Sequence, residues 1–201
     1  MGFEAIRGRM NVAMNLVCST IVFLFLITSA PISQFRGKGI KTAADGTVSG
    51  ASKMSCLTVW GLKNDCSIND YHFRPASMTC ARGKQLFQAS EAFYIISVIV
   101  SLVSSIMGGL YFMGIRMKVL LMVLAVAEVV FALIPWACMT GVWYASFCNS
   151  SEVTVDRTIG KPDGIPYGKL LRQDFETSAG YGLTIAAWCI QLAGMIFLFV
   201  L

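Results

Sequence analysis

Charge and histidine are scarce in this sequence, and so are the residue constellations that catalysis needs. Only 13% of the 201 residues are Asp, Glu, Lys or Arg, about half the roughly 25% usual in soluble proteins. The single histidine, His72, leaves no room for a hydrolytic triad unless it is the member. In "NDYHFRP" it reads as a surface loop residue, the alternative being a pH-responsive group. No Gly-x-Ser-x-Gly elbow, phosphate-binding glycine loop, His-Glu-x-x-His helix or paired metal-ligand cluster occurs. No catalytic residue, cofactor or metal is therefore expected, and the chain reads as a non-enzyme. Basic runs interleaved with aromatics are also missing, so nucleic acid is not an expected partner.

What the chain has in excess is apolar surface, since 56% of it is hydrophobic. Four segments reach the roughly 20 residues that cross a bilayer, at about 12–32, 92–114, 119–144 and 179–201. Lipid offers a backbone no hydrogen-bond partner, so segments of this kind are helices. The expected fold is an all-α membrane bundle of four transmembrane helices, one domain over residues 1–201, with loops at 33–91 and 145–178. Arg7 and Arg9 precede the first span, and Arg116 and Lys118 sit in the short second connection. The positive-inside rule puts these in the cytoplasm and the two long loops outside, at the plasma membrane. The first loop also holds eight basic residues, so the cysteines supply an independent argument. The first span reads as an uncleaved signal anchor and the last as a spanning helix.

Cys18, Cys138 and Cys189 fall in the apolar segments, where a thiol is a small filler. Cys56, Cys66, Cys80 and Cys148 fall in the two long loops. Four cysteines facing an oxidising compartment read as up to two disulfides with three possible connectivities, the alternative being free surface thiols. "MSCLTVW" suits a strand, and "GLKND" holds Gly61, Asn64 and Asp65, residues that favour a tight turn. Asp45-Gly46 is a second hairpin signal, and "SSEVTV" a further strand. A small extracellular antiparallel β-sheet capping the bundle is expected. Asn149 opens the only Asn-x-Ser/Thr glycosylation acceptor, close to the end of the third span.

Two features within the membrane stand out. Glu128 is the only charged residue in any span and lies at a depth similar to Gln191. A hydrogen bond between them is the simpler reading, and a proton or ion relay the functional one. Ser97, Ser101, Ser105 and Gly109 are spaced by four and read as one small-residue face, for packing within the bundle or between protomers of a homo-oligomer. Pro135 is expected to kink the third helix. Trp136, Trp143 and Tyr144 then suit an outer aromatic belt.

"CLTVWGLKNDC", residues 56–66, resembles the signature of the amastins, four-span surface glycoproteins of trypanosomatid parasites. The signature reads Cys, aliphatic or aromatic, Thr or Ser, Leu or Phe, Trp or Phe, Gly, any, basic or Gln, any, polar or acidic, Cys. Thr58, Trp60, Gly61, Lys63 and Asp65 fit it, and Val59 is the one departure. The resemblance implies a Cys56–Cys66 disulfide, which leaves Cys80 to pair with Cys148. It also implies that Trp60 lodges at the foot of the sheet, its ring on helix ends and its indole N–H on an interfacial acceptor, with Lys63 and Asp65 solvated. A more distant likeness, to the claudin and peripheral-myelin-protein group, rests on Gly61-Leu62 and Cys66. It supports the fold and not tight-junction or pore function. The family implies a role at the parasite surface, in adhesion to or contact with a host-cell membrane lipid or protein. A transporter or channel moving protons or ions through Glu128 is the alternative.

Overall fold

The structure is a computed structural model that describes residues 2–39, 41–42, 48–49, 53–115, 117–145, 155–156, 161–162 and 164–200. Among these, four helices are long and apolar enough to cross a membrane. They are α1 (Gly2–Ser29), α2 (Ala81–Phe112), α3 (Lys118–Tyr144) and α5 (Ala179–Val200), with a short α4 (Gly168–Asp174) before the last. Helix α1 packs on α2 and α5, and α3 on α2 and α5, so the four spans form a ring. The expected four-helix bundle is what the chain builds.

Helix ends differ from the apolar limits of the sequence. Helix α2 begins at Ala81, well before the hydrophobic run, because Cys80 caps it: the Gly83 N–H donates to Cys80 Sγ at 3.4 Å. Its first turns therefore belong to the cap. Helix α3 runs through Pro135 without interruption. The carbonyl of Pro135 accepts from Ser90 Oγ on α2 at 3.3 Å, which ties the two helices at that level.

The cap is a four-stranded antiparallel sheet in the order β5-β4-β1-β8. Strand β1 is Phe35–Gly37, β4 is Cys56–Thr58, β5 is Gly61–Lys63 and β8 is Phe175–Thr177. Strand β1 pairs with β4 of the same loop and with β8 of the second, Phe35 lying opposite both Leu57 and Thr177, so the β1–β8 pairing joins the two long loops. Asp45-Gly46 lies outside the described residues, while β2 (Lys41–Thr42) and β3 (Val48–Ser49), which flank it in the sequence, pair antiparallel as a separate two-stranded sheet. Of the expected "SSEVTV" strand only Val155 lies among the described residues, in β6 (Val155–Asp156), which pairs with β7 (Lys161–Pro162) and not with the cap sheet. Phe175–Thr177 takes that place instead. Phe35 anchors the sheet to the bundle, fully buried and stacked on Trp143 at 4.7 Å between ring centroids. Tyr181 flanks the same ring at 5.6 Å.

The small-residue face of α2 is shifted from the expected one. Ser97, Ser101, Ser104 and Gly108 are the buried set, whereas Ser105 is half-buried and nothing approaches Gly109. At 3.6 residues per turn a spacing of four drifts by about 40° each step, so three steps carry Gly109 about 120° around from Ser97. Alternating steps of four and three stay on one line. Ser97 and Ser101 are thus consumed inside the bundle, where a side chain on Gly108 would press on Leu16 of α1.

Candidate functional site

The signature segment is a hairpin whose tip points into the mouth of the bundle. Register pairs Cys56 with Lys63, Leu57 with Leu62 and Thr58 with Gly61, so the turn is Val59-Trp60. The sequence expectation put the turn at "GLKND", and this is corrected: Gly61 to Lys63 is strand. Thr58 holds the turn from inside, its Oγ1 donating to the Gly61 carbonyl at 3.1 Å and accepting from the Trp60 N–H at 3.2 Å. Val59 is buried among Val22, Leu26, Tyr94 and Ala187 from three spans. An apolar side chain suits that buried place.

Trp60 behaves as the resemblance implies. Its indole N–H donates to the Ala30 carbonyl at 3.1 Å, directly after the end of α1. One of the helix-terminal carbonyls that α1 cannot satisfy itself is thereby paired. Gly61 follows with φ +136°, and a Cβ there would stand 2.3 Å from the Phe73 carbonyl oxygen. The hairpin and the returning loop are in backbone contact at that point, with Leu62 N–H on Phe73 O at 2.9 Å. Only glycine fits both the conformation and the gap.

The far end of the hairpin is closed by the Cys56–Cys66 disulfide. Asp65 Oδ1 accepts from the N–H and the hydroxyl of Ser67, at 2.9 and 2.8 Å, which shapes the return to Cys66. Lys63 is corrected from the solvated reading. It is only 5% exposed, and its ammonium lies over the Tyr71 ring at 4.8 Å from the centroid. Cys80 is disulfide-bonded as well. Cys148 and Asn149 lie outside the described residues, so the expected pairing and the glycosylation acceptor have no geometry here. His72 is exposed and packs edge-on against Phe73.

Deeper in the bundle a polar layer takes one side chain from each span. Gln191 Nε2 of α5 donates to Glu128 Oε2 of α3, as expected. Ser19 Oγ of α1 donates to the same oxygen at 3.0 Å, across the bundle diagonal, and lies 3.4 Å from Ser104 Oγ of α2. Glu128 is 2% exposed and Gln191 fully buried. Ser19 and Ser104 were not anticipated, because serine in a span is too common to mark. Asn15, one turn before Ser19, was the better signal. It packs against Gly194 of α5, where a Cβ would stand 2.8 Å from that of Cys18 and 3.5 Å from Asn15 Oδ1.

Apolar layers close this polar layer on both sides. Toward the cap lie Val22, Leu26, Tyr94 and Ala187, and toward the other end Val12, Leu121, Ala125 and Leu198. Among the described residues no His, Cys, Asp or Glu cluster fit for a metal ion occurs. The layer can tie four helices together by hydrogen bonds; among the described residues it presents no second carboxylate, histidine or amine to pass a proton onward.

No curated protein and no solved structure gives a significant match to this chain. The model of one family does, over residues 20–198, which takes in the hairpin, the cap strands, the second half of the first span and nearly all of the other three. The chain belongs to the amastin surface glycoproteins, a family of membrane surface proteins.

Proposed function

We propose that the protein is a non-enzymatic surface protein whose cap mediates adhesion or membrane contact between parasite and host cell, with its N-terminus cytoplasmic and both long loops extracellular. The observation that carries this reading is the disulfide-closed hairpin seated in the bundle mouth, which holds the cap rigidly on its membrane base. A rigid, outward-facing cap loses little conformational freedom on contact with a partner. The transporter reading draws less support, because Glu128 lies between two apolar layers. Retention of proteoliposomes carrying the full chain on host-type cells tests the proposal. Binding above that of empty liposomes is expected, falling when Cys56 and Cys66 are replaced by Ser. Equal retention with and without protein would overturn adhesion, and a transmembrane current abolished by Glu128→Gln would establish the alternative.

A further inference from the structure

Beside the hairpin, Trp60, Tyr71, Arg74, Gln88 and Glu91 line a cavity of about 520 Å³, open on one side. This is within the roughly 300–1,000 Å³ of small-molecule sites. We propose that it holds the headgroup of a zwitterionic phospholipid from the leaflet on the cap side, with the phosphate on Arg74 and the ammonium group between Glu91 and the Trp60 ring.

Height in the membrane is the first argument. Trp60 is tied to the carbonyl just past α1, and Glu91 directly precedes the apolar run of α2. Both levels mark the boundary between headgroups and hydrocarbon, where Trp is favoured.

Charge is the second. The cavity has one cation and one anion, and among the described residues the side chains of Arg74, Gln88 and Glu91 have no hydrogen-bonded or ion-paired partner. Arg74 and Glu91 do not satisfy each other, so the site complements a ligand carrying both signs. A guanidinium pairs well with a phosphate diester. An ammonium, quaternary ones included, is held by a carboxylate and an aromatic face. A purely anionic headgroup would meet the Glu91 carboxylate, and a purely cationic one would leave Arg74 unmatched.

The third argument lies below the cavity. From exposed Gln88 and half-buried Glu91 the line continues down α2 through Ile95, Ile99, Leu102 and Ile106, these four exposed. Steps of three and four keep these six positions on one helix face. That face points away from the buried line of Ser90, Tyr94, Ser97, Ser101 and Ser104 and therefore toward lipid. Polar cavity and apolar stripe together match a headgroup with its acyl chains attached.

The walls are set before any ligand arrives. A Cβ on Gly61 would stand 3.3 Å from Arg74 Cα, so the hairpin abuts the backbone that carries the guanidinium. The Arg74 carbonyl in turn accepts from the Ser77 N–H at 3.0 Å and from its hydroxyl at 2.7 Å. The inference rests on α2 spanning the membrane and is independent of what the cap contacts outside.

Native mass spectrometry of the detergent-solubilised full chain, titrated with phosphatidylcholine or phosphatidylglycerol of identical acyl chains, tests it. Phosphatidylcholine adducts are expected in excess. Arg74→Gln and Glu91→Gln should each weaken them about tenfold, as loss of one charge-assisted contact does. Arg82→Gln, an exposed change on α2 outside the cavity, should leave binding unaltered. Both test positions are at least partly exposed, and an intact Cys56–Cys66 peptide link reports that the cap has folded. Equal adducts for the two lipids, or unchanged binding in both folded variants, would overturn the site. Soluble phosphocholine that binds as tightly as the lipid would overturn the membrane as its source.

Discussion

Replacing Glu128 separates hydrogen bonding from charge in the middle of the bundle. Two donors converge on Glu128 Oε2, from Gln191 and from Ser19. Asn15 Oδ1, Glu128 Oε1 and Gln191 Oε1 are buried without a hydrogen-bond partner among the described residues. Glu128→Gln keeps the shape and one acceptor, and its amide adds a donor to a layer rich in bare acceptors. Glu128→Leu keeps most of the volume but leaves the Gln191 amide and the Ser19 hydroxyl without their acceptor. Both variants remove the carboxyl, so the difference between them reads hydrogen bonding alone. Interhelical hydrogen bonds in membranes average about 0.6 kcal/mol and reach about 1.7. Two of them predict that the Leu variant is about 1–3 kcal/mol less stable than the Gln variant, with the latter within about 1 kcal/mol of wild type. Reversible unfolding in mixed micelles of mild detergent and dodecyl sulfate, followed by circular dichroism, measures this. A double-mutant cycle of Glu128→Leu with Gln191→Leu should return a coupling of about 0.6–1.7 kcal/mol. A Leu variant as stable as the Gln variant, with no coupling to Gln191, would refute the layer as a tie between helices.

Removing the Cys56–Cys66 bridge, whose sequence separation is 10, should destabilise the cap by about 3 kcal/mol from the loop entropy of the unfolded chain. Non-reducing peptide mapping should find the two cysteines linked, and alkylation of both without reduction would contradict the bridge. Gly61→Ala must relieve a clash with Phe73 O on a left-handed backbone, so a cost of at least about 1–3 kcal/mol is expected in the thermal midpoint of the cap. Gly194→Ala drives a methyl into Cys18 and should loosen α1 from α5. Gly109→Ala meets nothing and should gain up to about 1 kcal/mol of helix propensity, and detergent unfolding of the pair tests the shifted face. Asn149 opens a sequon so near the third span that sparse glycosylation is expected, whereas a sequon moved to about Gly160 should be modified strongly. None there, with modification beside Arg116, would invert the topology.

Hydropathy decides the four spans on its own, because a bilayer permits little else for 20 apolar residues in a row. Glu128 and Gln191 could likewise be matched from their depth, and the Trp60 indole from the family resemblance, since each buried polar group must find a partner in a narrow range of places. Two kinds of question were left to the tertiary structure. The first is register: a spacing of four looks like one face in the sequence, but at 3.6 residues per turn the contact between α1 and α2 selects Ser104 and Gly108 over Ser105 and Gly109. The second is which short segments pair across a long separation. Phe35–Gly37 and Phe175–Thr177 are three residues each, too short to show a period, and they become strands only because the bundle brings the two loops side by side. The same holds for Val59-Trp60: its apolar character argues against a turn in water, and it is a turn because the mouth of the bundle, and not solvent, receives it.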